Sequence, residues 1–321
     1  MPSSGRKKAG TSYASNRHTI TALTAVIAVF IVSLFASSGR DMLIGVYEPN
    51  SPGSYGQIDT FAEQAGFTPR ITSYYSTFTM PFPTTFAEQA ASRGTQVLVQ
   101  WQPRGTTNAA VASGADDAYI EQFAQAVAAL DQQVIISYGQ EMNGNWYQWA
   151  TAAGGGSGSD PADYVAAYRH VWEVFQQQGV HNVTWLWGPN ISYKGSTPLK
   201  ELYPGDAYVD WVGLDGYFAL PTDTFSSLFG PSITELRAFT SKPLLIAETG
   251  VSGTAAPGQL AGLFAGARIA GAVGIVYFDQ AQAGDPEHQD WRLEDNPTNL
   301  AAFQAGIQAN AERPLILANT P

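Results

Sequence analysis

Two glutamates stand where a chain could bring them to bear on a glycosidic bond. Glu141 follows the apolar run Val134-Ile135-Ile136-Ser137-Tyr138 and opens Glu141-Met142-Asn143-Gly144-Asn145-Trp146-Tyr147-Gln148-Trp149, a stretch of amides and indole rings. Glu248 closes a second apolar run, Leu244-Leu245-Ile246-Ala247, and precedes the polar turn Thr249-Gly250. Glycoside hydrolysis needs such a pair: one carboxyl protonates the leaving oxygen, and the other, kept ionised, attacks the anomeric carbon or activates water. Trp146 and Trp149 offer Glu141 the apolar surroundings that raise a carboxyl pKa, which suits it to the acid/base role. Tyr217 and the polar turn offer hydrogen-bond donors to Glu248, which suits it to the nucleophile role. A single glutamate at a strand end reads equally well as a helix cap or a surface ion pair. The pairing is what turns the reading toward chemistry.

A sugar-binding surface is expected around this pair. Trp146 and Trp149 lie in a polar loop, where an exposed indole calls for a flat apolar partner such as a pyranose face. Gln140 and Asn143 add amides to the expected substrate-binding set. Trp101, Trp187 and Asn190, at or just past the ends of two strand-like runs, are further candidates; the competing reading is that the two indoles plug a barrel. Trp172 and Trp185 fall inside element interiors and are expected in the core.

Eight β-rich runs can position these residues: Leu43-Tyr47, Pro69-Tyr74, Gln96-Trp101, Gln133-Tyr138, Asn182-Trp187, Trp211-Leu214, Pro243-Ala247 and Val273-Phe278. Helical patterns alternate with them, among them Asp116-Leu130, Pro161-Gln178, Ser232-Thr240 and Gly258-Ala270. The helix at Pro161 has a legible start and stop, with Asp160 as cap, Pro161 at the first position and Gly179 after the end. Eight β/α alternations in about 250 residues predict an α/β fold of the (β/α)8 TIM-barrel type. Glu141 would then follow the fourth strand and Glu248 end the seventh, so both would project from one rim across its mouth. A carboxyl separation of about 5 to 5.5 Å there would mean retention of anomeric configuration.

Composition removes other classes. The 321 residues carry a net charge of -11, which argues against a nucleic-acid partner, since binding a phosphate backbone needs clustered Lys and Arg. Cysteine is absent, so there is no disulfide, thiolate metal site or Cys nucleophile. The four histidines, His18, His170, His181 and His288, lack zinc-hydrolase spacing, and no metal site is expected. Gly-x-Ser-x-Gly, phosphate-loop and dinucleotide fingerprints are also missing.

Arg6, Lys7, Lys8 and Arg17 precede an apolar stretch from Thr19 to Ala36, which reads as an export segment. Its core, Ala25 to Phe35, is short for a span of about 20 residues, and Ala36-Ser37-Ser38 offers a cleavage site. Residues 1–38 are therefore expected to be a signal peptide, with an uncleaved signal anchor as the alternative, followed by a single barrel domain over residues 39–321. A secreted protein is expected, and membrane attachment only if the segment stays on. Ala152 to Ser159, rich in Gly and Ser, reads as a surface loop on the site's side of the barrel.

The Glu141–Trp149 segment resembles the acid/base segment of glycoside hydrolase family 26, endo-β-mannanases and some β-glucanases within a clan of retaining barrels. Val209-Asp210-Trp211-Val212-Gly213-Leu214-Asp215-Gly216-Tyr217 resembles that family's sixth-strand segment. Trp185-Leu186-Trp187-Gly188-Pro189-Asn190, Ile246-Ala247-Glu248-Thr249-Gly250 and Asp290-Trp291-Arg292-Leu293 extend the likeness. The resemblance implies Glu141 as acid/base, Glu248 as nucleophile, Tyr217 as the residue that orients it, and no metal or organic cofactor. It implies a retaining endo-acting β-glycanase on a polysaccharide such as β-1,4-mannan or β-glucan. The chain departs from the family in carrying Gln140 where a His precedes the acid/base, and Ser137-Tyr138 where an Arg lies earlier on the strand. That departure leaves room for a rival, a non-catalytic or membrane-tethered polysaccharide-binding barrel serving exopolysaccharide assembly.

Overall fold

The apolar runs become eight parallel strands, each hydrogen-bonded to its neighbour in sequence order, with β1 closing on β8. The computed structural model describes residues 41–152, 159–251, 257–281 and 289–311. The expected export segment, His18, His288 and residues 153–158 of the Gly/Ser-rich stretch lie outside the described residues. The strands are β1 (Leu43–Tyr47), β2 (Ile71–Thr77), β3 (Gln96–Gln102), β4 (Val134–Tyr138), β5 (Val183–Trp187), β6 (Trp211–Asp215), β7 (Leu244–Thr249) and β8 (Gly274–Phe278). The helices are α1 (Gly56–Ala65), α2 (Thr84–Ser92), α3 (Asn108–Ala112), α4 (Asp117–Ala128), α5 (Pro161–Gln177), α6 (Phe225–Arg237), α7 (Pro257–Ile269) and α8 (Pro297–Ala311). The chain is thus a (β/α)8 barrel, as the alternation predicts.

Alternation along each strand sorts side chains into two cores. Ile71, Leu98, Ile135, Leu186, Leu245 and Val276 form one small cluster that fills the barrel interior. Val97, Val99, Ile136, Leu214, Ile246 and Tyr277 belong to the larger cluster beneath the helices. Glycine narrows the interior between β5 and β7: a Cβ on Gly213 would lie 3.1 Å from the Cβ of Ala247 and 3.1 Å from the Cα of Gly188.

Helix α5 starts as its sequence signals, with the Asp160 carboxylate accepting from the Ala162 N–H at 2.8 Å, and Gly179 follows its end in the left-handed region at φ 70°. Helix α6 departs from expectation. It begins at Phe225 instead of Ser232, because Thr224 and Ser227 form a reciprocal capping box and Pro231 is carried within the helix.

Ladder lengths differ around the ring. Strands β2 and β3 are in register at seven positions, whereas β5 and β6 pair only at Leu186↔Trp211 and Trp187↔Val212. Past that short ladder the chains are tied again where the Ile191 N–H donates to the Asp215 carbonyl at 2.9 Å and the Asp215 N–H to the Pro189 carbonyl at 3.0 Å.

Candidate active site

Strand β4 ends in an unusual turn that aims Glu141. Gly139 and Glu141 both lie in the left-handed region, at φ 56° and 55°, a conformation that costs a non-glycine residue on the order of 1 kcal/mol. The turn is held by the Glu141 N–H donating to the Gly188 carbonyl at 2.8 Å and the Gly144 N–H donating to the Glu141 carbonyl at 3.0 Å. The Glu141 carboxyl, 7% exposed, takes a hydrogen bond on each oxygen: Asn190 Nδ2 donates to Oε1 at 2.6 Å and Trp146 Nε1 to Oε2 at 2.7 Å. Burial raises its pKa above the usual carboxylate range, and these two bonds partly offset that rise.

Glu248 reaches the same cleft by a different device. Leu245 and Ala247 face the barrel interior, so strict alternation would turn Glu248 toward the helices. Register shifts in β7 against both neighbours, between Leu214 and Asp215 on one side and between Ile246 and Thr249 on the other, break the alternation. Its Oε1 accepts from the Tyr217 hydroxyl and its Oε2 from the Tyr75 hydroxyl. Burial, then the negative charge of Glu141, push its pKa up to about 7 against the pull of both tyrosines. The two carboxyls therefore feel one another across the cleft.

That cleft has a volume of about 520 Å³, and Tyr47, Gln102, Arg104, Tyr147, Phe278 and Gln280 complete its lining with Tyr75, Glu141, Trp146, Tyr217 and Glu248. Tyr47 and Phe278 stack at 4.7 Å with planes 9° apart, and Trp291 packs against Tyr217 at 4.5 Å. A third carboxyl, Asp215, lies beside Glu248 in the β6–β7 register and is fully buried. Burial, reinforced by the charges of Glu248 and Glu141, holds it well above the ordinary carboxylate range. Among the described residues, no group of three or more His, Cys, Asp or Glu side chains is placed to hold a metal ion.

Glu141, Trp146, Tyr217 and Glu248 are brought together; several other expected residues are not. Trp101 is sealed under the helices, stacked on Phe123 at 4.1 Å with its Nε1 donating to the Tyr119 hydroxyl. It shares the outward side of β3 with Val97 and Val99, while Leu98 faces in. Trp187 is outward for the same reason and packs edge-on against Tyr203 at 5.1 Å. Trp149, 2% exposed, stacks on Tyr147 at 4.4 Å and donates to the Gln140 carbonyl at 2.8 Å, so it supports the cleft wall from behind. Gln140 is 1% exposed, its side-chain amide sealed away from any sugar hydroxyl. Asn143 is buried in a reciprocal clamp with the Asn190 backbone, giving to its carbonyl and accepting from its N–H, both at 2.9 Å. The clamp positions Asn190, whose side chain is the one that touches Glu141.

The sequence reading missed Tyr75, Tyr47, Gln102, Arg104, Tyr147, Phe278 and Gln280. Part of the signal is visible in hindsight: in Ile71-Thr72-Ser73-Tyr74-Tyr75 and Gln96-Val97-Leu98-Val99-Gln100-Trp101-Gln102 the inward positions above the apolar plug are polar or hydroxylated.

The sequence pattern of glycosyl hydrolase family 26 matches residues 70–244, a stretch that holds Glu141 and Tyr217 and stops just short of Glu248. Endoglucanase H of Acetivibrio thermocellus is 25% identical over 321 residues, covering 91% of this chain and 33% of that protein. A mannan endo-1,4-beta-mannosidase of Bacillus subtilis is 28% identical over 145 residues, covering 43% of this chain and 37% of that protein. The chain thus matches about a third of the length of these relatives. In three dimensions it is similar to a GH26 beta-mannanase from Bacteroides ovatus, with TM-score 0.61 at 17% identity over 85% of this chain and 89% of that one. It is also similar to a modular endo-beta-1,4-mannanase from Cellulomonas fimi, with TM-score 0.63 at 18% identity over 86% and 72%. These likenesses concern the fold. With more than half of its residues under the family pattern, the chain belongs to glycosyl hydrolase family 26.

Proposed function

We propose that the protein is an exported, retaining, endo-acting β-glycanase that cleaves a β-linked polysaccharide by double displacement. Glu248 attacks the anomeric carbon while Glu141 gives its proton to the departing glycosidic oxygen; water then hydrolyses the glycosyl-enzyme with Glu141 as base. The observation that carries this reading is the meeting of two buried glutamates in one cleft, each with a hydrogen bond on both carboxyl oxygens. Glu248 takes a tyrosine hydroxyl on each oxygen, from Tyr217 and Tyr75, and Glu141 takes the Asn190 amide N–H on one oxygen and the Trp146 indole N–H on the other, so both carboxyls are held in place for a two-carboxylate reaction. The names of the relatives, mannosidase and endoglucanase, support a mannan or a β-glucan as substrate.

The test is a digest of mannans, β-glucans and xylans with purified protein, the products followed by proton NMR. Release of reducing ends with β-anomers formed first, abolished in Glu141→Ala and Glu248→Gln, is the expected result. Binding without turnover would overturn the hydrolase reading in favour of a carbohydrate-binding barrel, and first-formed α-anomers would overturn retention. Export through residues 1–38 predicts a mature chain in the medium that starts near Gly39, read by N-terminal sequencing; a retained full-length chain would show an anchor instead.

A further inference from the structure

Few large apolar side chains are exposed among the described residues, and two of them are neighbours, Trp146 in the cleft lining and Tyr193 packed against it. Trp146 is 47% exposed and Tyr193 38% exposed, with ring centroids 5.8 Å apart and planes within 28° of parallel. They come from different strand ends, Trp146 from the segment after β4 and Tyr193 from the one after β5. Neither is loose. Trp146 is pinned by its bond to Glu141 and lies so close over Gly144 that a Cβ there would come within 2.6 Å of its Cζ2. Tyr193 sits at the mouth of a turn closed by Ser196, whose hydroxyl donates to the Tyr193 carbonyl at 2.9 Å. Two exposed rings in an offset stack form an apolar strip, a surface a protein keeps wet only when something covers it.

The strip has a direction. Trp146 is hydrogen-bonded to Glu141 and Tyr193 packs on Trp146, whereas Glu248 is held by Tyr217 and Tyr75. Tyr193 therefore belongs to the side of the cleft that Glu141 occupies. In a double displacement the sugar that is attacked sits over the nucleophile, and the leaving chain departs past the acid.

Resting on the hydrolase reading above, we propose that Tyr193 extends the leaving side of the cleft beyond Trp146 and so determines specificity. It stacks on a second sugar past the scissile bond and favours chains that continue on that side. This residue acts on where the polymer is cut rather than on the bond-breaking step.

The experiment compares the wild type, Tyr193→Ala and Tyr193→Phe on two substrates of the polymer class the wild type degrades. One is a reducing-end-labelled oligosaccharide with several sugars past the cut, and the other an aryl β-glycoside whose leaving group is a phenol. Removing the ring is expected to lower the ratio of kcat/KM for the oligosaccharide to that for the aryl glycoside about three- to tenfold. Labelled products should show cuts displaced toward the reducing end, and Tyr193→Phe should behave as the wild type. An unchanged ratio and cut position, or an equal loss on both substrates, overturns the proposal. A wild type that cleaves neither substrate overturns the hydrolase reading instead; quenching of indole fluorescence by the oligosaccharide, present in the wild type and weakened in Tyr193→Ala, then decides the stacking role, and equal quenching in both overturns it.

Discussion

Replacing Tyr75 by Phe removes one of the two hydroxyls that favour the charged form of Glu248 and keeps the ring that meets Tyr47 at 5.2 Å. With both hydroxyls in place, Glu248 already sits at about 7 because of burial and the charge of Glu141. A hydrogen bond to a charged group contributes about 1.5–3 kcal/mol, which at 1.36 kcal/mol per pKa unit is about one to two units. The lost bond stabilised the carboxylate, so the pKa rises, and Glu248, the nucleophile of the proposed mechanism, is protonated over more of the acid range. At pH 7 the ionised fraction drops from about one half to between about 1% and 10%, a loss of about 5- to 50-fold in kcat/KM. Measured over about pH 4 to 9, the acid limb of kcat/KM should move up by about one to two units. An acid limb that stays in place, or a loss equal at every pH, would refute the role given to Tyr75.

Three further outcomes are expected. Burial, then the charge of Asp279, lift Glu48 from 4.5 to about 10, so the folded protein holds a proton that the unfolded chain releases between those values and stability falls as pH rises through that window. Glu48→Gln should therefore melt about 2–6 °C above the wild type at pH 8 and show little gain at pH 5; equal shifts at both would contradict the assignment. Gly144→Ala forces the Trp146 ring off its seat and away from Glu141, with an expected loss of about tenfold in kcat/KM, about 1.4 kcal/mol, and a melting temperature that hardly moves. Trp101→Ala should destabilise the fold by about 3–5 kcal/mol, read by denaturant unfolding; a raised KM on a fully stable protein would return Trp101 to the cleft.

The barrel was legible because its strands are buried apolar runs separated by helices with clear signals, such as Asp160, Pro161 and Gly179 around α5. Glu141 and Glu248 stood out as lone carboxyls after such runs. What alternation decides was misread: Trp101 and Trp187 lie at strand ends, as expected, yet on the side that faces the helices. Tyr75 could be paired with Glu248 only by closing the sheet, since 173 residues separate them. The shifted register that turns Glu248 inward leaves no mark in local composition, because Ala247 and Thr249 fit either face of a strand. Gln140 illustrates the opposite error, a polar type next to Glu141 that packing seals off.

The short β5–β6 ladder divides the floor of the cleft into two plates. One carries Glu141 with its brace Asn190, the other Glu248 with Tyr217, and beyond two paired positions they are stitched by the backbone bonds between Pro189–Ile191 and Asp215. Warming or pulling on this ring should part the plates at that seam before any helix unravels, making the spacing between Glu141 and Glu248 its softest dimension. Amide protons of Ile191 and Asp215, which cross the seam, exchanging ahead of those along β2–β3 would reveal that hinge, and uniform exchange around the ring would deny it.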